Sequence, residues 1–134
     1  MKKLYQGIKR DPFNLCIVAI VIILYFTNNL FLKKYTSGIV QEFFICFFND
    51  LMAPVFLLAY ANVLAISRNM RIVKLLYIEL ICLGAGCVWE FLAPVFKKGS
   101  VTDVLDLCCY LVGGILYWFI IHVRERKQKY VDDK

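Results

Sequence analysis

From Asn14 to Leu32 the chain runs through nineteen residues without one charged side chain. The hydrocarbon core of a bilayer asks for a helix of about 20 such residues, since it offers the backbone no other partner for its N–H and C=O groups. Three further stretches are mostly apolar: residues 51–67, 72–96 and 104–123, the last two carrying Lys74, Glu79, Glu90 and Asp106. Between the first and second lies segment 39–48, apolar but carrying Gln41 and Glu42. One helix from Ile39 to Ile66 would be too long for a single crossing. Segment 39–48 therefore reads as a short interfacial or re-entrant piece, or a helical extension, with a break near Asn49–Pro54. The expected fold is all-α: a polytopic transmembrane bundle, one integral membrane domain of about four spanning helices plus that short segment.

Composition leaves little alternative. Of 134 residues, 61% are hydrophobic and only 19% charged, more apolar surface than a soluble domain of this length can hide. The N-terminal basic residues followed by an apolar run resemble a signal peptide. No small-x-small cleavage site follows in "YFTNNLFLKKYTSG", so a retained first helix is expected, with no second, soluble domain. The six cysteines (Cys16, Cys46, Cys82, Cys87, Cys108 and Cys109) all lie in apolar stretches, with no CxxC pair and no neighbouring histidine to suggest zinc. They read as small residues packing between helices.

The formal charge of +6 is unevenly spread. Twelve Lys and Arg fall in the N-tail, the middle loop near Arg68 and Arg71, and the C-tail; the other two loops hold Lys33, Lys34, Lys97 and Lys98. Positively charged loops stay cytoplasmic, so a plasma-membrane protein with both N- and C-termini cytoplasmic is expected. The remaining excess suits the anionic headgroups of the lipid bilayer. Nothing builds a surface for reading nucleic acid.

This orientation brings four acids to the extracytoplasmic face. "NDLMAPVF" at Asn49–Phe56 and "WEFLAPVF" at Trp89–Phe96 each place a carboxylate, Asp50 or Glu90, four residues before a proline. The two lie on antiparallel helices at matching depth. Asp103 and Asp106 open the last helix there, with Ser100 or Thr102 as its cap. Asp103, Asp106, Tyr110, Gly113 or Gly114, and Tyr117 recur at spacings of three and four, and so share one face. Gly113–Gly114 are placed to let another backbone approach closely, at Gly84 and Gly86 of the third helix.

Each acid also has a structural reading. Asp103 suits a helix start in the headgroup zone and Asp50 a cap, whereas Asp106 and Glu90 lie deeper, where an unpaired carboxylate is costly. Clustered carboxylates either hold protons or share a cation. Asp50, Glu90 and Asp106, with Asn49, are the oxygen ligands that would suit a divalent cation such as Mg²⁺ or Ca²⁺. Lys97 and Lys98 are placed to act as counter-ions or to grip a phosphate. Glu79, near mid-membrane, is expected to form an interhelical polar tie with Asn62 and to share an inward face with Glu90 through residues 83 and 86. His122 sits at the opposite end from the acids, so no Ser–His–Asp or Cys–His arrangement forms, and no glycine-rich phosphate loop is present.

The stretch Trp89–Trp118 resembles the VanZ-like family of small bacterial membrane proteins. Glu90, Pro94, Asp106 and Gly113 follow the order of that family's motif, and Asp50 resembles an aspartate that opens an earlier helix. Ala93 and Tyr110 stand where the family carries Gln and Asn, Pro54 stands near the place of a His, and Lys97 and Lys98 replace the more usual Arg. The resemblance covers about half the chain, roughly Asn49 to Trp118. It implies a bacterial plasma-membrane protein that binds or acts on lipid-like amphiphiles at the outer leaflet. It also implies a link to lowered sensitivity to teicoplanin-type antibiotics.

The leading expectation is an outward-facing acidic pocket engaging a lipid-like amphiphile or headgroup. Its polar contacts are Asn49, Asp50, Glu90, Asp103 and Asp106, its throat Tyr110 and Tyr117, and Lys97 or Lys98 would hold an anionic group. A second reading is a metal-dependent membrane hydrolase or transferase on phospholipid or polyprenyl-phosphate. A third is a non-catalytic immunity or assembly protein working through its glycine faces. A transporter would need a homo-oligomer to line a path. Between catalysis and binding the residues leave the choice open.

Overall fold

The structure, a computed structural model, describes residues 12–66, 68–96 and 104–132. Helix α1 (Pro12–Thr27) passes through a π-helical segment (Asn28–Leu32) into the single turn α2 (Lys33–Tyr35). There follow α3 (Ile39–Cys46), α4 (Phe48–Ile66), α5 (Leu75–Phe96) and α6 (Val104–Asp132). No β-strand occurs among the described residues. Three helical runs among them are long and apolar enough to cross a membrane: Pro12–Tyr35, Ile39–Ile66 and Leu105–Arg126. The chain is thus an all-helical protein whose helices suit a multi-pass membrane protein. Helix α5, also 22 residues long, was expected as a further span.

α4 is the centre of the bundle, flanked by α1 on one side and α6 on the other, while α5 packs on α6. The core that joins them is Ile17 and Val21 of α1, Val55, Leu58 and Ala59 of α4, Ile78 and Cys82 of α5, and Tyr117 and Ile121 of α6. Large apolar side chains such as Ile23, Phe26, Leu80 and Phe119 face outward. In water such a surface would drive association; against lipid tails it is neutral.

The helix ends follow from local chemistry. The chain turns from α2 to α3 over three residues, and Gly38 adopts φ +64°, ψ −146°, a region that a Cβ makes strained. The Gln41 amide donates to the Lys33 carbonyl at 3.1 Å and holds that turn closed. At the other end, Asn69 takes a left-handed φ of 57° just past α4. Its N–H reaches Ile66 O, and that of Met70 reaches Ala65 O, each at 3.0 Å. Those two bonds satisfy carbonyls that the ending helix leaves open.

Three expectations need correction. The break expected near Asn49–Pro54 falls earlier, at Phe47, and Pro54 sits inside α4. A proline there removes only the bond to the Asp50 carbonyl, and its buried ring is used for packing. Gly113 and Gly114 do not meet Gly84 and Gly86. A Cβ on Gly113 would collide with the Leu51 carbonyl and the Pro54 ring of α4. One on Gly114 would lie 2.8 Å from both Cys82 Sγ and Glu79 Oε1 of α5. Gly86 instead admits Leu107 and Tyr110, and Gly84 faces open space. Finally, of the six cysteines only Cys82 is buried; Cys16, Cys46, Cys87 and Cys108 are exposed.

Candidate functional site

Polar side chains inside apolar helices are costly, so each needs a partner. Some satisfy themselves locally. Thr27 Oγ1 donates to Ile23 O at 2.8 Å and Asn29 Nδ2 to Tyr25 O at 2.8 Å, bonds that turn a polar side chain back onto its own helix. Asn28, between them, does not. The π-helical turn carries it to full burial, and its Nδ2 donates to the Phe44 carbonyl and to Asn49 Oδ1, both at 3.0 Å. One amide therefore ties α1, α3 and α4 together. Its own Oδ1 is buried with no hydrogen-bond partner.

Asn49 also lines a groove to which all four long helices contribute. α1 contributes Val21, Ile22, Tyr25 and Phe26; α4 contributes Asn49, Asp50, Met52, Ala53 and Phe56; α5 contributes Trp89 and α6 Tyr110. The groove encloses about 600 Å³, within the range of ligand pockets. Its polar lining comes from Asn49, Asp50 and the hydroxyl or indole groups of Tyr25, Trp89 and Tyr110. Electrostatically, Asp50 feels Asp106, Glu90 and the opposing charge of Lys33, while Tyr110 feels Asp50, Asp106 and Glu90. Carboxyls of α4, α5 and α6 thus share one end of the bundle.

The expected site residues divide as follows. Asn49, Asp50 and Tyr110 line the groove. Glu90 and Asp106, both half-buried, stand within electrostatic reach of Asp50 without lining it. Asp103, Lys97 and Lys98 lie outside the described residues. No group of three His, Cys, Asp or Glu side chains is placed to hold a metal ion among the described residues, so Asp50, Glu90 and Asp106 do not form one ligand set there. Lys33 and Asn28 were missed. Lys33 was legible only as a loop charge, and the inward turn of Asn28 depends on the π-helical segment.

Tyr117, expected beside Tyr110 in the throat, belongs to the opposite end. Wholly buried, it accepts a bond from Asn62 Nδ2 at 2.6 Å and donates to Asn14 Oδ1 at 2.8 Å. Asn62 also pairs with the loop before α5: Nδ2 donates to Ile72 O at 2.9 Å, and Ile72 N–H donates to Asn62 Oδ1 at 2.7 Å. Asn62 is therefore not the partner of Glu79, whose buried Oε1 has no hydrogen bond and rests against Gly114. The inward line of α5 runs through Ile78, Cys82 and Gly86, with Leu83 exposed. His122 stacks on Trp118 at 4.9 Å, and Arg124 covers the Phe13 ring at 4.3 Å, both away from the acids.

No protein-family model matches this chain, and neither a curated protein nor a solved structure is significantly similar to it.

Proposed function

We propose that the chain is a four-span bacterial plasma-membrane protein that engages a lipid-like amphiphile in the groove between α1 and α4. In this reading α5 is the fourth span, both termini are cytoplasmic, and the Asp50 end faces outward. The observation that carries it is the groove: about 600 Å³, walled by apolar and aromatic side chains, with Asn49, Asp50 and Tyr110 set among them. An amphiphile needs just such a pairing of a long apolar wall and a compact polar group. The resemblance to the VanZ-like family supports the same ligand class, and with it a role in antibiotic or envelope-stress resistance.

The test is a sensitivity assay. A susceptible bacterium expressing the chain should tolerate a teicoplanin-type antibiotic better than one without it. Ala substitution at Asp50, Glu90 or Asp106 should remove that protection while leaving the protein in the membrane fraction. Loss of the protein from the membrane would make the acids structural instead. In parallel, a cysteine introduced at Lys97 should react with an impermeant maleimide added outside intact cells; protection there would reverse the proposed orientation.

A further inference from the structure

Resting on the groove reading above, we infer that the amphiphile carries a cationic head: an ammonium on a hydrocarbon chain. Two independent features of the groove point to it. The first is charge. The carboxyl that lines the groove, Asp50, is also within reach of Glu90 and Asp106, against Lys33. Among the described residues that balance is negative, which attracts a positive group and disfavours a phosphate or sulfate. The second is the wall. Tyr25, Phe26, Phe56, Trp89 and Tyr110 make five aromatic side chains among the eleven that line it. Aromatic faces next to a carboxylate are the chemistry by which proteins hold alkylated ammonium groups, the ring quadrupole adding to the ion pair. A neutral alcohol head can hydrogen-bond to Asp50, Asn49 and Tyr110 but forms neither an ion pair nor a cation–π contact. The tail then lies along Val21, Ile22 and Met52.

Trp89 gives a reporter in the wall, because the chain has only one other tryptophan, Trp118. The full chain with Trp118→Phe is placed in phosphatidylcholine nanodiscs. Three probes sharing one dibromo-octadecyl tail are added: the amine, the alcohol and the phosphate monoester. Bromine quenches an indole only on close approach. Quenching by the amine should reach half its maximum at about a tenfold lower concentration than by the alcohol. The phosphate should be the weakest. Asp50→Asn should bring amine and alcohol within about twofold of each other, the amine losing far more than the alcohol. Equal quenching by all three probes would overturn the cationic head but leave the groove as a tail site. A preference for the phosphate would overturn it in favour of an anionic headgroup. If no probe quenches beyond the level of bulk lipid, the groove reading itself falls. Should Asp50→Asn fail to fold, the order of the three probes on the parent chain still decides the question.

Discussion

The two ends of this bundle are built on opposite plans. At the Tyr117 end, neutral groups from α1, α4, α6 and the loop before α5 close on one another in a chain of bonds between 2.6 and 2.9 Å. The cavity that Asn14 and Asn62 line is about 20 Å³, room for one water, and is bordered by Arg71, Arg124 and Glu125; a second, of about 300 Å³, lies against the loop at Ile66, Asn69, Met70 and Arg71. At the Asp50 end, Asp50 is within electrostatic reach of Asp106 and Glu90, a buried Asn28 Oδ1 lacks a partner, and the groove is about 600 Å³. A satisfied neutral network stabilises helix contacts and offers little to a ligand. A like-charged group contributes little to stability and, in the proposed reading, keeps its binding capacity for a ligand. In the proposed reading, the contrast separates structural from functional polarity within one small protein.

The largest expected effect tests the seam on which both plans depend. Gly113 is where α6 meets α4, against the Leu51 carbonyl and the Pro54 ring. The obstructing atoms are backbone and a rigid ring, so neither can swing aside. Gly113→Val should cost about 3 kcal/mol by SDS-induced unfolding in mixed micelles. A loss below about 1 kcal/mol would mean the helices separate easily there, and the groove beside the seam would lose its fixed wall.

An intermediate effect sits at the closed end. Tyr117→Phe removes the hydroxyl that links Asn62 to Asn14 and leaves Asn14 Oδ1 short of a donor in a buried site. The same unfolding measurement should show a loss of about 1–2 kcal/mol. Protection against the antibiotic, where the chain confers it, should persist. If protection vanished while the protein remained folded, the division of labour between the ends would be wrong.

Much of this contrast was readable before any coordinates. Unbroken apolar runs announce membrane-length helices because few solvents tolerate them. The three-and-four spacing placed Asp103, Asp106, Tyr110, Gly113 or Gly114, and Tyr117 on one face; Asp103 lies outside the described residues, and of the others Asp106 is half-buried and the rest are buried. Depth along that face was harder. Tyr110 and Tyr117 are two turns apart, which is enough to put them in different polar neighbourhoods, and spacing alone does not say which partner waits at each level. Asn62 was paired with Glu79 by depth, yet a loop residue, Ile72, and a tyrosine claimed it. Gly113 and Gly114 illustrate the same limit: adjacent positions on a helix point about 100° apart, so the pair serves two different neighbours rather than one. Asn28 was hidden for a different reason. Its direction is set by a π-helical turn, a backbone irregularity without a residue signature.

The smallest expected effect is the most discriminating, because the two plans predict different signs. If Asp50 were a structural acid like the asparagines at the far end, Asp50→Asn would destabilise the fold as Tyr117→Phe does. As a member of a like-charged group it should not. The substitution keeps the side chain's size and removes one of three mutually repelling charges, so unfolding stability should stay within about 0.5 kcal/mol of the parent or rise. The lost attraction to Lys33 works against this, but Lys33 acts on Asp50 less than Asp106 or Glu90 does. The double variant Asp50→Asn with Tyr117→Phe should lose what Tyr117→Phe loses alone, since the two sites share no partner and lie at opposite ends. Added salt sharpens the measurement: screening should shrink any gain from Asp50→Asn while leaving the Tyr117→Phe loss as it was. A loss of 2 kcal/mol or more from Asp50→Asn would instead place Asp50 in a bonded network of its own, and the two ends would then differ in chemistry but not in purpose.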